Sequence, residues 1–71
     1  MPIETLIRMG QQIALNNGAL PPDRAADRIA KHLNAFWTRA MIAELQAFAG
    51  TDSGRLDPSL VAALRQLAAG G

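Results

Sequence analysis

Seventy-one residues with 7 Lys+Arg against 6 Asp+Glu, 1 His, no Cys and 49% hydrophobic content set narrow bounds: one domain spanning 1–71, with no room for a second. Disulfides and thiolate metal sites are excluded, and one histidine builds no zinc site. A net charge of +1 is too small to hold a nucleic-acid backbone strongly, and the longest uncharged stretch, Met9 to Pro22, contains Gln, Asn and Pro, so no run of about 20 apolar residues is available to span a bilayer.

The spacing predicts an all-α chain, a small bundle of three to four short amphipathic helices at about 3–16, 22–36, 39–49 and 58–69. In the first, Ile3, Leu6, Ile7, Ile13 and Ala14 share one side. Gly10 lies in that stripe, where it costs about 1 kcal/mol against alanine, so another backbone is expected close by. Leu15 points the other way and is expected to be exposed.

Pro22 suits a first helical position, and Asp23 and Asp27 lie in the opening turns, where the helix dipole favours anions. Ala26, Ile29, Ala30, Leu33 and Phe36 then line a core face, while Arg24, Asp27, Arg28 and Lys31 share a solvated one. Asp27 and Lys31, four apart with the acid first, are placed to pair. Thr38 is the expected cap of the third helix, whose stripe is Met41, Ile42, Leu45, Phe48 and Ala49, with Gly50 as its stop. The segment Gly50–Gly54 then reads as a flexible connection. In the fourth helix, Asp57-Pro58 supplies an acid cap and a first-position proline, and Leu60, Val61, Leu64, Leu67 and Ala68 recur until Gly70-Gly71.

Material for catalysis is poor. His32 falls at the border of the apolar and charged faces, and no acid lies three or four residues away to orient its ring. It reads as a helix-flank histidine bonded to a neighbour or water. Gly50 to Gly54 is followed by Arg55-Leu56, not by the Gly-Lys-Ser/Thr of a phosphate loop. A DNA-reading helix needs several basic and amide residues on one exposed face. Only Arg24, Arg28 and Lys31 come near, interrupted by acids. Phe36 continues the core stripe, whereas Trp37 at the turn either packs inward or anchors an interface. Met9, Leu15 and Arg39 are further candidates for a contact surface. Met1-Pro2-Ile3-Glu4 lacks the basic and apolar regions of a leader, and a cytoplasmic location is the expectation.

The string His32-Leu33-Asn34-Ala35-Phe36-Trp37-Thr38-Arg39-Ala40-Met41, with Leu6-Ile7-Arg8-Met9 and Gln12-Ile13-Ala14 before it and Leu56-Asp57-Pro58, Val61 and Leu64 after it, resembles the delta subunit of cytosolic NAD-dependent formate dehydrogenases. The resemblance runs from about Thr5 to Leu67. After Trp37 the chain departs from the family's Asp-Pro-Arg, reading Thr38-Arg39-Ala40. The arginine thus stands one position early, turned by about 100° around the helix. Asn16-Asn17 replaces residues that are often aromatic in relatives.

The resemblance implies a complex in which a large alpha subunit oxidises formate to carbon dioxide on molybdenum or tungsten held by two pterin guanine dinucleotides. Iron-sulfur clusters and flavin (FMN) then carry the electrons to NAD. A chain without cysteine ligates no cluster of that kind. The expectation is therefore no enzyme on its own and no cofactor in this chain, but a non-catalytic subunit docked on the alpha subunit, and through it on beta and gamma. Its role would be assembly, cofactor insertion or stability of the complex, with no nucleic-acid or membrane partner. The alternatives are a transient assembly chaperone for the catalytic subunit and a small helical DNA-binding regulator. The expected contact residues are Arg8, Met9, His32, Trp37, Arg39, Met41, Leu56, Asp57 and Pro58, with no catalytic, cofactor or metal residue.

Overall fold

Helix starts are decided by which residue satisfies or removes the first free N–H groups. Proline removes one at Pro22, while Thr38 Oγ1 accepts from the Met41 N–H at 3.1 Å. Asp57 Oδ1 accepts from the Ser59 N–H at 2.9 Å and from the Ser59 hydroxyl at 2.6 Å, with Pro58 next in the first helical position. In the computed structural model, which describes residues 2–70, these starts give α1 (Ile3–Asn16), α2 (Pro22–Phe36), α3 (Arg39–Asp52) and α4 (Pro58–Ala69). A short 3-10 turn, Ser53–Arg55, joins α3 to α4. No strand is present among the described residues, and the fold is the small all-α bundle expected. The first residue of Met1-Pro2-Ile3-Glu4 and the second glycine of the expected Gly70-Gly71 stop lie outside the described residues.

Six leucine and isoleucine side chains, Leu6, Ile29, Leu33, Leu45, Leu60 and Leu64, are fully buried, so all four helices contribute to one interior. α2 packs most extensively on α4. Ala26 on α2 and Ala63 on α4 are 1% and 0% exposed. The stripes expected for α1, α2 and α4 face inward at their centres, while Ile3 and Ala68 at their ends are exposed. On α3 only Leu45 is fully buried; Met41, Ile42, Phe48 and Ala49 are half-buried. Leu15 is exposed, as its position on α1 requires.

Several expectations need correction. Gly10 is buried, but what approaches it is side chain: a Cβ there would lie 3.0 Å from Leu60 Cδ2 and 3.1 Å from Leu45 Cδ2. α3 runs on through Gly50 to Asp52. A glycine stop works through left-handed backbone, and Gly50 stays helical instead.

The segment from Gly50 to Gly54 is therefore helix and 3-10 turn, not a loose connection. It is tied to α1 at its far end. Gln11 Nε2 donates to the Arg55 carbonyl at 3.2 Å, and Gln11 Oε1 accepts the Asp57 N–H at 2.8 Å. Arg55 donates through both terminal nitrogens to the Glu4 carboxylate at 3.2 and 3.1 Å. Its guanidinium also stands 5.5 Å from the centre of the Phe48 ring. Finally, Asp27 and Lys31 do not close into an ion pair; Glu4–Arg55 is the single salt bridge among the described residues.

Candidate functional site

Trp37 is the residue around which the expected contact set divides. It follows α2 in extended backbone, its N–H donating to the Leu33 carbonyl at 2.9 Å. Leu33 is buried, and Trp37, four residues on, continues that stripe into the core at 8% exposure. Phe36 is one residue, or about 100°, off that line, and lies 75% exposed. The expectation of Phe36 as core is overturned for that reason: of two adjacent rings, only one can follow the stripe.

The Trp37 side chain lines two hollows. On one side it meets Met9 and Ile13 of α1, with Arg8, Gln12 and His32 completing the lining. Four of the expected contact residues, Arg8, Met9, His32 and Trp37, thus come together from α1, α2 and the position just after α2. This hollow, about 450 Å³, is wide open and mainly apolar. Ligand pockets of comparable volume bury most of a small molecule's surface; an open one suits a side chain or helix of another protein.

The second hollow places Arg39 with Asn34, Trp37, Ile42 and Leu67, between the end of α2 and the α3–α4 seam. Met41 is half-buried against the core beside it. Leu56, Asp57 and Pro58 form a separate corner. There Leu56 is buried, the Asp57 N–H is held by Gln11 and the Asp57 carboxylate caps α4. The polar groups of that corner are thus engaged within the chain.

His32 is exposed and its ring stacks on Phe36, centroids 4.9 Å apart and planes tilted by 45°. Its neighbour on α2 is thus an aromatic ring. The electrostatics of the α1–α3 side are set by Arg55. Its hydrogen bonds, and then its charge, hold the Glu4 carboxyl below the ordinary glutamate value, and the same contact raises Arg55. Glu4 is thereby occupied away from Arg8, the basic residue four positions on along α1.

Among the described residues no three of His, Cys, Asp and Glu gather as metal ligands would, and no helix is long and apolar enough to cross a membrane. Iron-sulfur clusters are held by thiolates, which this sequence, with no cysteine, does not supply. Residues 5–64 match the family described as "NADH-dependant formate dehydrogenase delta subunit FdsD". The chain belongs to the FdsD family. The match covers α1 from Thr5 onward, all of α2 and α3, and more than half of α4. No curated protein and no solved structure matches the chain.

Membership makes this FdsD chain a delta subunit of a formate dehydrogenase complex. Sequence spacing missed three features of its surface. Gln12 and Ile13 belong to the rim and wall of the α1–α2 hollow, and Phe36 beside it is outside, not core. The missing signal was in the sequence for Phe36: Leu33 to Trp37 is a four-residue step, and His32 to Phe36 is another, one position out of phase.

Proposed function

We propose that this chain is a non-catalytic accessory subunit of an NAD-dependent formate dehydrogenase, docking on the catalytic alpha subunit and supporting its assembly, cofactor insertion or stability. Through that subunit it joins beta and gamma, which with alpha carry the molybdenum or tungsten pterin, iron-sulfur and flavin groups. Family membership supplies the complex. The observation that carries the docking role is the open hollow of Met9, Ile13 and Trp37 flanked by an exposed Phe36. An exposed aromatic beside an apolar recess is the composition of an interface hot spot, where a few anchors dominate the binding energy.

Co-expression tests the reading. Tagged delta chain made with the alpha subunit should retain it through size exclusion. Formate-dependent NAD reduction in extracts lacking the delta chain should fall, with less cofactor bound to alpha. A stoichiometric delta band in the purified, active complex marks a permanent subunit. Absence from the mature enzyme with transient binding to immature alpha would move the assignment to an assembly chaperone. No retention at any stage would end the docking reading.

A further inference from the structure

Along the seam of α1 and α2 two hollows adjoin. The apolar one is described above; the other is polar and lined by Asn17, Arg28, Lys31 and His32. His32 lines both, so they form one continuous surface. Exposed Phe36 stacks on that histidine. Leu15, 72% exposed, lies one helical turn beyond Gln12 and on the same side of α1 as Arg8.

The charge on this surface is one-sided. Arg8, Arg28 and Lys31 border it, and no acidic side chain lines either hollow. The acids that sequence spacing would assign to these cations do not reach them. Glu4, four residues before Arg8, is bound to Arg55, and Asp27, four before Lys31, makes no ion pair. Arg8 on the apolar hollow and Arg28 and Lys31 on the adjoining polar one therefore line the seam with no salt bridge to an acid of the chain among the described residues.

We propose that this seam is a helix-binding groove whose occupant is an acidic amphipathic helix of the catalytic subunit. Its apolar ridge enters between Met9, Ile13 and Phe36, and its carboxylates face Arg8, Arg28 and Lys31. A groove between two helices accepts a third through anchors at helical spacing, and the cations give register and on-rate through complementary charge. The proposal rests on the docking role above and adds to it the face used and the chemistry of the segment bound. A second copy of this chain is the poorer occupant, because a two-fold contact would oppose the same cations to themselves. Nucleic acid leaves the apolar recess unused.

Binding of the full-length chain to purified alpha subunit, measured at increasing NaCl, tests the groove. The variants are Arg28→Glu with Lys31→Glu, and Phe36→Ser; all three positions are exposed, so circular dichroism should match wild type. Arg65→Glu on exposed α4 controls for overall charge. Wild-type affinity should weaken as salt rises from about 50 to about 300 mM. The charge-reversed pair and Phe36→Ser should each lose about tenfold or more, as for anchor residues, and Arg65→Glu about twofold or less. Groove variants that bind as wild type, while wild type itself binds, overturn the groove and leave docking standing. An equal loss in Arg65→Glu overturns it in favour of bulk charge. A dimer dispersed by Phe36→Ser, or salt-sensitive retention on DNA lost with the charge pair, would reassign the surface. Failure of wild type to bind the alpha subunit at all overturns both readings.

Discussion

Two glycines inside helices meet opposite surroundings. At Gly10 a methyl group would press on Leu60 and Leu45 at 3.0 and 3.1 Å, and both leucines are fully buried with little room to yield. At Gly50 nothing lies within 4 Å. The propensity gain on replacing helical glycine by alanine is about 1 kcal/mol in either place, but overpacking a filled core costs about 1–3 kcal/mol. Gly10→Ala is therefore expected to lower the unfolding midpoint and Gly50→Ala to raise it, the latter by up to about 4–8 °C for a domain of this size. Thermal melts of the two variants check the opposite signs. The aromatic pair makes a second contrast: Trp37→Ala, a core truncation of about 3–5 kcal/mol, should remove most of the stability of the free chain and its helical circular dichroism, whereas Phe36→Ala should cost about 0.5 kcal/mol or less as a surface change. A Trp37→Ala chain that keeps wild-type helical circular dichroism and urea midpoint would contradict the inward placement of the indole.

At the scale of elements, the 3-10 turn depends on α1 for its position. Gln11 holds both sides of the Arg55–Asp57 corner, and Glu4 holds the Arg55 side chain. Because the folded-state pKa of Glu4 is depressed, the stabilisation is fully present above the ordinary glutamate value and is lost as pH falls through the depressed one. Glu4→Gln should flatten the acid limb of stability against pH and leave neutral stability nearly unchanged, the pair being exposed. A variant whose acid limb matches wild type would show the pair to be uncoupled from folding. Gln11→Ala should make the Thr51–Leu56 segment the first site of limited proteolysis, with α1, α2 and α4 cut later.

Much of this layer was legible in the residues: Pro22, Thr38 and Asp57-Pro58 mark three helix starts that the structure keeps. Contacts across long separations were not. Gln11 and Arg55 are 44 residues apart, and no local spacing rule links an amide on one helix to a carbonyl on a distant turn. Gly50 misled because a stop depends on backbone conformation, which the residue permits without dictating. Four of the nine expected contact residues fell into one hollow for a local reason, since i, i+4 steps on α1 place Arg8 with Gln12 and Met9 with Ile13, and the step from Leu33 turns Trp37 inward. The cations around it became meaningful only once Glu4 was seen to turn away.

For the molecule as a whole, a Cα radius of gyration of 10.7 Å agrees with about 11 Å for a folded chain of this length. The 4544 Å² of remaining surface still leaves a small interior, and domains of this size rarely exceed about 3–5 kcal/mol from one core. The isolated chain is thus expected to be helical and to unfold cooperatively at low denaturant. Adding alpha subunit should raise its midpoint by mass action without a large gain in helical signal. A free chain lacking helical circular dichroism would replace docking of a formed surface by folding on contact.

The position of Trp37 has one more consequence. It is the sole indole of the sequence, shielded from water yet lining the apolar hollow of the groove and the hollow beside Arg39. Its emission is therefore a native optical gauge: occupancy of the groove will shift the fluorescence of an unlabelled, unaltered protein, and a tryptophan-free peptide titrated into it can be followed by that signal alone.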